Sequence, residues 1–201
     1  MNAYEFMRKH HAPAELTFWS EWHDTDIAET WNILIYLKKV SWLMWIATET
    51  DVFPAATPIN LLCDVVRHTA LRDGRVLIDL LVDERSKQAI CAAEKYANGS
   101  ISKDELKIAV DDSYKAIVDI KTPISARYEA AWIASRVAAY AYGAFSCASD
   151  IAHYAISAAS QDALERSQES MDAMMTYHYA AIQSQLDLLT ALENPFRKKT
   201  P

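Results

Sequence analysis

The sequence predicts an all-α protein, a single compact multi-helix bundle of about eight helices over residues 1–201. Only three of the 201 residues are glycine, whereas all-β proteins need many Gly-rich turns. Alanine, which has the highest helix propensity, is abundant. Helix start and stop signals also recur along the chain. We expect short helices in a Trp-rich N-terminal segment (residues 1–53), long helices in an Ala-rich core (57–194), and a basic tail (195–201).

The N-terminal segment contains signals for four short helices, separated by proline and by capping residues. Its third helix carries Ile27, Trp31 and Leu34 at helical spacing, which predicts one apolar face. The expected helices are, in order, Asn2 to His11, which Pro13 stops; Leu16 to Trp22; a helix capped by Asp24-Thr25 that runs to Tyr36; and a helix capped by Ser41.

The middle of the chain predicts three further helices with clear boundaries. Thr57-Pro58 is a start signal, because a capping residue is followed by proline at the first helical position. Asp83 is expected to cap a helix that ends at Asn98-Gly99. Ser102 and Glu105 form a capping box, in which each side chain bonds the backbone of the other residue. Arg75 to Leu81 predicts a short helix or connector between the first two.

The C-terminal half predicts the packed centre of the bundle. The stretch from Ala126 to Ala163 is rich in alanine, whose small side chain lets helices approach closely, and Gly143 is expected to divide it into two helices. We expect the last helix to start near Ser160 and run to Leu192. Met175, Ile182 and Leu189 repeat every seven residues along it, a period typical of bundle helices.

The charge of the chain argues against a nucleic-acid ligand. The formal net charge is −7, whereas affinity for nucleic acid comes largely from neutralising phosphates. Between Tyr128 and Phe196 the only cationic residues are Arg136 and Arg166, so the C-terminal third is acidic. No apolar run approaches the ~18 residues of a membrane span. We therefore expect neither a nucleic acid nor a membrane as partner, and a cytoplasmic location.

The three cysteines, Cys63, Cys91 and Cys147, lie far apart and form no CxxC motif. This spacing indicates neither a disulfide framework nor a zinc site. Each cysteine falls in an apolar, helical segment, so we expect buried, reduced thiols and a reducing compartment.

Histidines offer the few candidates for catalysis. His23-Asp24 matches the dipeptide of metal-dependent phosphohydrolases, but His10 and His11 are too close upstream to complete such a site, so a loop cap is the favoured explanation. Asp150 and His153 share a helix face, yet no second copy of the pair exists to complete a di-iron site. His178 lies on the apolar side of the last helix, where a histidine is usually a core-edge residue. No nucleophile motif and no phosphate-binding loop occurs, so we predict no catalytic residue, metal or cofactor.

Two groups of residues are candidates for binding a partner protein. Five tryptophans crowd the N-terminal quarter, where they predict either an aromatic mini-core or an exposed binding surface; Trp19 and Trp22 are the candidates for the surface. The second group is an acidic strip, which the spacing places on one face of a helix near its start. It serves either as a solvated face or as a docking site for a basic partner, and comprises Asp162, Glu165, Glu169 and Asp172.

Two stretches carry a family resemblance. They are TDIAETWNILIYLKKVSWLMWIA (Thr25 to Ala47) and RDGRVLIDLLVDERSKQAICAAEKYANGSISKDELKIAVDDSYKA (Arg72 to Ala116). Together with the Ala-rich helices that follow, they resemble phage- and bacterium-encoded helical proteins of unknown function. The second stretch is also similar to immunity proteins encoded near bacterial toxins. The resemblance implies an all-helical fold and a role in binding another protein.

We therefore expect a non-enzymatic protein that binds another protein, acting as an inhibitor in a phage or bacterial conflict. Two alternatives stay open. One is a metal-dependent hydrolase that uses His23, Asp150 and His153. The other is an oligomeric scaffold in which the seven-residue repeat of the last helix forms part of the seam between copies.

Overall fold

A computed structural model describes residues 1–122, 125–145, 147–166 and 171–197. Within these ranges the chain forms ten α-helices and two short 3-10 turns, and contains no β-strand, so the all-α prediction is confirmed. The helices are α1 (Ala3–Lys9), α2 (Ala14–His23), α3 (Ile27–Tyr36), α4 (Val40–Glu49), α5 (Ala56–His68), α6 (Glu84–Ala97), α7 (Lys103–Val118), α8 (Ala126–Tyr142), α9 (Ala148–Arg166) and α10 (Met171–Ala191); the 3-10 turns are Arg72–Gly74 and Leu77–Leu80. None of the helices in the described residues is long and apolar enough to cross a membrane.

The short N-terminal helices are joined at their starts. The Asn2 side chain caps α1 and the Asp26 side chain caps α3, two residues beyond the predicted cap at Asp24. Asp24 instead adopts a left-handed conformation (φ 40°) and ends α2. An isolated antiparallel bridge pairs Asn2 with Asp26, so α1 and α3 begin side by side.

The Trp-rich segment packs on the Ala-rich core. Trp31 and Trp45 are buried, and α4 lies against α9 and α10. The buried apolar residues form one cluster that runs from Ala3 in α1 to Leu189 in α10. Two of the five N-terminal tryptophans thus belong to the core and are not free to bind a partner.

The starts of α6 and α7 follow the predicted capping signals. The Ser102 backbone N–H donates to Glu105 Oε2 at 2.8 Å, and the Glu105 N–H donates to Ser102 Oγ at 3.2 Å, so the predicted capping box is confirmed. Asp83 caps α6 as expected, and α6 ends at Ala97. The predicted start at Thr57-Pro58 is wrong by two residues: α5 begins at Ala56 without a side-chain cap, and Pro58 is its third residue and is buried.

The Ala-rich helices α8 and α9 form the packed centre. Most of the alanines in these two helices are buried, and Gly143 (φ 87°) ends α8 as predicted. The predicted start of the last helix at Ser160 is wrong, because α9 continues to Arg166 and α10 begins at Met171. The Ser160 hydroxyl donates back to the Ile156 carbonyl at 3.0 Å, as serine does inside a helix, and caps nothing.

The seven-residue stripe of α10 faces mainly into the bundle. Leu189 is fully buried, Ile182 packs on the core, and Met175 alone of the three is exposed. The predicted seam between copies is therefore occupied by the protein's own core at Leu189. Beyond α10, Phe196 packs edge-on against Phe6, with ring centroids 5.2 Å apart. The start of the predicted basic tail thus lies on α1, while residues 198–201 fall outside the described residues.

Of the three cysteines, only Cys63 is buried, so the prediction of buried thiols is wrong for Cys91 and Cys147. Cys91 is exposed on α6, where its Sγ accepts a hydrogen bond from Arg67 Nη2 at 3.8 Å. Cys147 directly precedes the first residue of α9 and is exposed there. All three thiols are free.

Candidate protein-binding surfaces

The outer face of α2 presents two large aromatic side chains to solvent. Phe18 and Trp22 lie one helical turn apart; their exposed fractions are 61% and 73%, and their ring centroids are 5.9 Å apart. Glu15 and Glu21 are exposed on either side of them, and neither forms an ion pair within the described part of the chain. We call these four residues, Glu15, Phe18, Glu21 and Trp22, the α2 ridge.

The inner face of α2 holds the helix on the fold. Trp19 is half-buried, stacks on His23 with ring centroids 4.0 Å apart, and packs against Trp42 of α4 at 5.9 Å. His23 Nδ1 lies 2.7 Å from the Trp19 carbonyl oxygen. Of the two predicted surface tryptophans, therefore, only Trp22 is on the outer face, whereas Trp19 packs towards α4.

The predicted acidic strip does not form one helix face. Asp162 is buried, and its carboxylate accepts a hydrogen bond from Arg75 Nη2 at 2.6 Å. The prediction that Asp162 lies on a solvated docking strip is therefore wrong. Its spacing argument required one continuous helix, but α9 ends at Arg166 and α10 begins at Met171.

The other three acids of the strip do not restore it. Glu165 is exposed but has an internal partner: it accepts a hydrogen bond at 2.8 Å from the N–H of Ala126, the first residue of α8. A carboxylate is favourable beside the N-terminus of a helix, because that end of the helix dipole is positive. Glu169 and the side chain of Asp172 lie outside the described residues.

A groove between α7 and α8 has a volume of about 840 Å³. Apolar and aromatic side chains make up most of its lining, which is typical of ligand and peptide sites. Tyr114 and Val118 form its rim on α7, and both are largely exposed. The residues used below are Tyr114, Ile117, Val118, Trp132, Arg136 and Ala139; we call this the α7–α8 groove.

Arg136 is the distinctive polar group of the groove. Its guanidinium carbon lies 4.7 Å from the ring centroid of Trp132 and 4.9 Å from that of Phe145. Such cation–π contacts hold the planar group in place. No carboxylate pairs with it within the described residues.

The other charges beside the groove are already paired. Lys107 binds Asp111 at 2.6 Å and Lys115 binds Asp112 at 2.8 Å, both pairs within α7. Because these carboxylates are neutralised by their own helix, Arg136 leaves the groove with an uncompensated positive charge.

Sequence reasoning missed this groove, although one signal for it was present. Tyr114 and Val118 are four residues apart, away from the buried residues Leu106, Ala116 and Ile117 of α7. Large apolar residues opposite a buried stripe indicate a second apolar face. Their meeting with Trp132 and Arg136 depends on the packing of α7 on α8, which spacing alone does not specify.

The candidate catalytic residues are dispersed. Asp24 accepts a hydrogen bond from Asn2 Nδ2 at 3.1 Å, and Asp150 and His153 are both exposed. His178 is half-buried with its Nδ1 3.2 Å from Ser160 Oγ, the core-edge position predicted for it. Within the described residues, no three or more His, Cys, Asp or Glu side chains come together as metal ligands.

One half-buried carboxyl group stands out on α8. Glu129 faces Ser157, Glu165 and His153 of α9, and its Oε2 is buried with no hydrogen-bond partner in the described structure. Burial raises the pKa of Glu129, and the nearby Glu165 raises it further, while a hydrogen bond from Ser157 acts in the opposite direction. The described residues form no metal-ligand set around this group.

The chain was compared with protein-family models, curated proteins and solved structures, and none of the three comparisons finds a match.

Proposed function

We propose that this protein is a non-enzymatic protein-binding module and that the α2 ridge is its docking surface. The observation that carries the proposal is the exposure of Trp22, at 73%, beside the exposed Phe18. Large aromatic side chains dominate the energetics of protein interfaces, and burying them against a partner removes apolar area from water. The inner face of α2 already holds the helix, so the fold does not need the ridge.

The charges on the ridge indicate the chemistry of the partner. Glu15 and Glu21 border the aromatic pair, in a chain of net charge −7. A partner with an apolar pocket and a cationic rim would match both features, because complementary charges accelerate association and exclude wrong partners. The resemblance to phage proteins and toxin immunity proteins supports an inhibitor that acts in this way. We place this activity in the cytoplasm, where the three free thiols stay reduced.

The ridge can be tested with matched variants. Partners are captured from a lysate of the native host with three tagged baits: the wild type, Phe18→Ser/Trp22→Ser and Tyr179→Ser. The lysate also contains the untagged protein, so that a second copy can be captured as well as a foreign partner. Tyr179 is 62% exposed on α10, so it controls for the loss of an exposed aromatic ring elsewhere. Captured proteins are quantified by mass spectrometry.

We expect a stoichiometric partner, foreign or a second copy, that the wild type and Tyr179→Ser retain and the ridge variant loses. If the ridge variant retains the same partner at the same stoichiometry, or if no bait captures a stoichiometric partner, the ridge is not the docking surface.

A further inference from the structure

The α7–α8 groove and the α2 ridge match each other in apolar character and in charge. We propose that the groove of one copy of this chain receives the α2 ridge of a second copy. Because this contact uses the ridge, the inference rests on the proposed function and names the partner.

The apolar side chains of the ridge suit the apolar walls of the groove. Phe18 and Trp22 project from one face of a helix at positions i and i+4, a spacing typical of anchors of a helix that binds in a groove. The groove offers aromatic and aliphatic walls in Trp132, Tyr114 and Val118, and a volume of about 840 Å³. Both surfaces expose apolar side chains that a contact would remove from water.

The charges correspond as well. The guanidinium of Arg136 packs against two aromatic rings and lacks a carboxylate among the described residues. The ridge supplies two exposed, unpaired carboxylates, Glu15 and Glu21. An arginine fork binds a carboxylate through two parallel hydrogen bonds, which adds geometric specificity to the apolar contact. The remaining groove cation, Lys115, is already neutralised by Asp112, so Arg136 is the group that selects an acidic partner.

The two surfaces belong to different parts of the fold. Helix α2 packs on α1, and its Trp19 contacts Trp42 of α4, whereas α7 packs on α6 and α8. The contact between copies is therefore heterologous, with the ridge of one molecule in the groove of the next. Such contacts form rings or open chains, or a dimer if two copies fill each other's grooves.

The test is self-association of the whole chain, measured by light scattering and sedimentation from about 1 μM to about 1 mM, the range in which weak specific contacts are detected. We expect the mass of the wild type to rise with concentration. Phe18→Ser/Trp22→Ser, which lacks the ridge, and Arg136→Glu, which repels it, should each stay monomeric when alone. When mixed, they should form a one-to-one complex, because one variant keeps a groove and the other keeps a ridge.

Charge reversal provides a second, independent readout. A chain carrying Arg136→Glu with Glu15→Arg and Glu21→Arg should recover self-association, because the pair is restored with opposite sign. Arg136→Lys keeps the charge but not the fork, and should weaken the contact by about tenfold or more. Thermal melting of each variant checks that it is folded, and if Arg136→Glu melts early, Arg136→Lys carries the comparison.

The outcomes separate this inference from the proposed function. A wild type that is monomeric at every concentration overturns the inference, while loss of a foreign partner in the ridge variant would still support the ridge as a docking surface. Self-association that persists in both the ridge and the groove variants also overturns it. If the mixture of the two variants stays monomeric while the wild type associates, the ridge and the groove are not the two halves of one contact.

Discussion

The ion pair between Arg75 and Asp162 allows a quantitative test of how this fold uses its acidic residues. The side chains are 24% and 3% exposed, and the N–O distance is 2.6 Å. Substitution Arg75→Met leaves the buried carboxylate without its arginine, and breaking a buried pair in this way costs about 3–5 kcal/mol. Because Arg75 is partly exposed, we take the lower end, about 3 kcal/mol. At about 2–4 °C per kcal/mol for a chain of this size, Tm should fall by about 6–12 °C.

The control is an ion pair of the same length on the surface. Lys107 and Asp111 are also 2.6 Å apart, but their side chains are 52% and 54% exposed. Lys107→Met should leave Tm nearly unchanged, since solvent screens an exposed pair. Both variants are compared by calorimetry at pH 7 and low salt. Equal shifts in Tm for the two substitutions would refute the reasoning that burial, and not ion-pair distance, decides the contribution.

Three further predictions concern side chains whose burial or exposure decides the expected result. Trp22→Ser should leave Tm nearly unchanged, whereas Trp31→Ala should cost about 3–5 kcal/mol in denaturant unfolding, because the first ring is exposed and the second is buried. Glu129→Gln should raise Tm at pH 7 but leave it nearly unchanged below about pH 4. Because the pKa of Glu129 is raised in the folded protein, this carboxyl group lowers the stability of the fold as the pH rises through that pKa, whereas the amide of glutamine stays neutral. A thiol reagent should modify the two exposed cysteines of the native protein quickly and Cys63 only on unfolding, since burial raises the pKa of the Cys63 thiol and blocks access; three equal rates would contradict this.

Local signals in the sequence predicted local features of the fold. The Ser102–Glu105 capping box depends on residues three apart, and Gly143 ends α8 because glycine readily adopts a positive φ. Both predictions required only neighbouring residues, and both are confirmed. The all-α class follows from the same evidence repeated along the chain, namely few glycines and frequent helix caps.

Predictions that depended on distant residues did less well. Asp162 was assigned to a surface strip by its spacing on the helix, but its environment is decided by Arg75, 87 positions earlier in the chain. The α7–α8 groove was missed because Tyr114 and Arg136 lie on different helices and approach each other only when those helices pack. In each case the sequence predicts that the residue lies in a helix, but it does not predict which other part of the chain packs against that helix.

The acidic character of this chain therefore divides into two kinds of carboxylate. In one kind, the carboxylate has a partner within the fold. Asp162 pairs with Arg75, and Glu165 and Glu49 accept hydrogen bonds from the first residues of α8 and α9, respectively. These groups stabilise helix starts and connections, so they add to the net charge without offering a binding surface. Glu15 and Glu21 form no ion pair in the described part of the chain and stand beside exposed aromatic rings, although Glu15 also lies in the first turn of α2, where a negative charge is favourable. Net charge alone therefore does not locate a binding surface; the proposed docking surface on α2 rests on two exposed acids that stand beside two exposed aromatic rings.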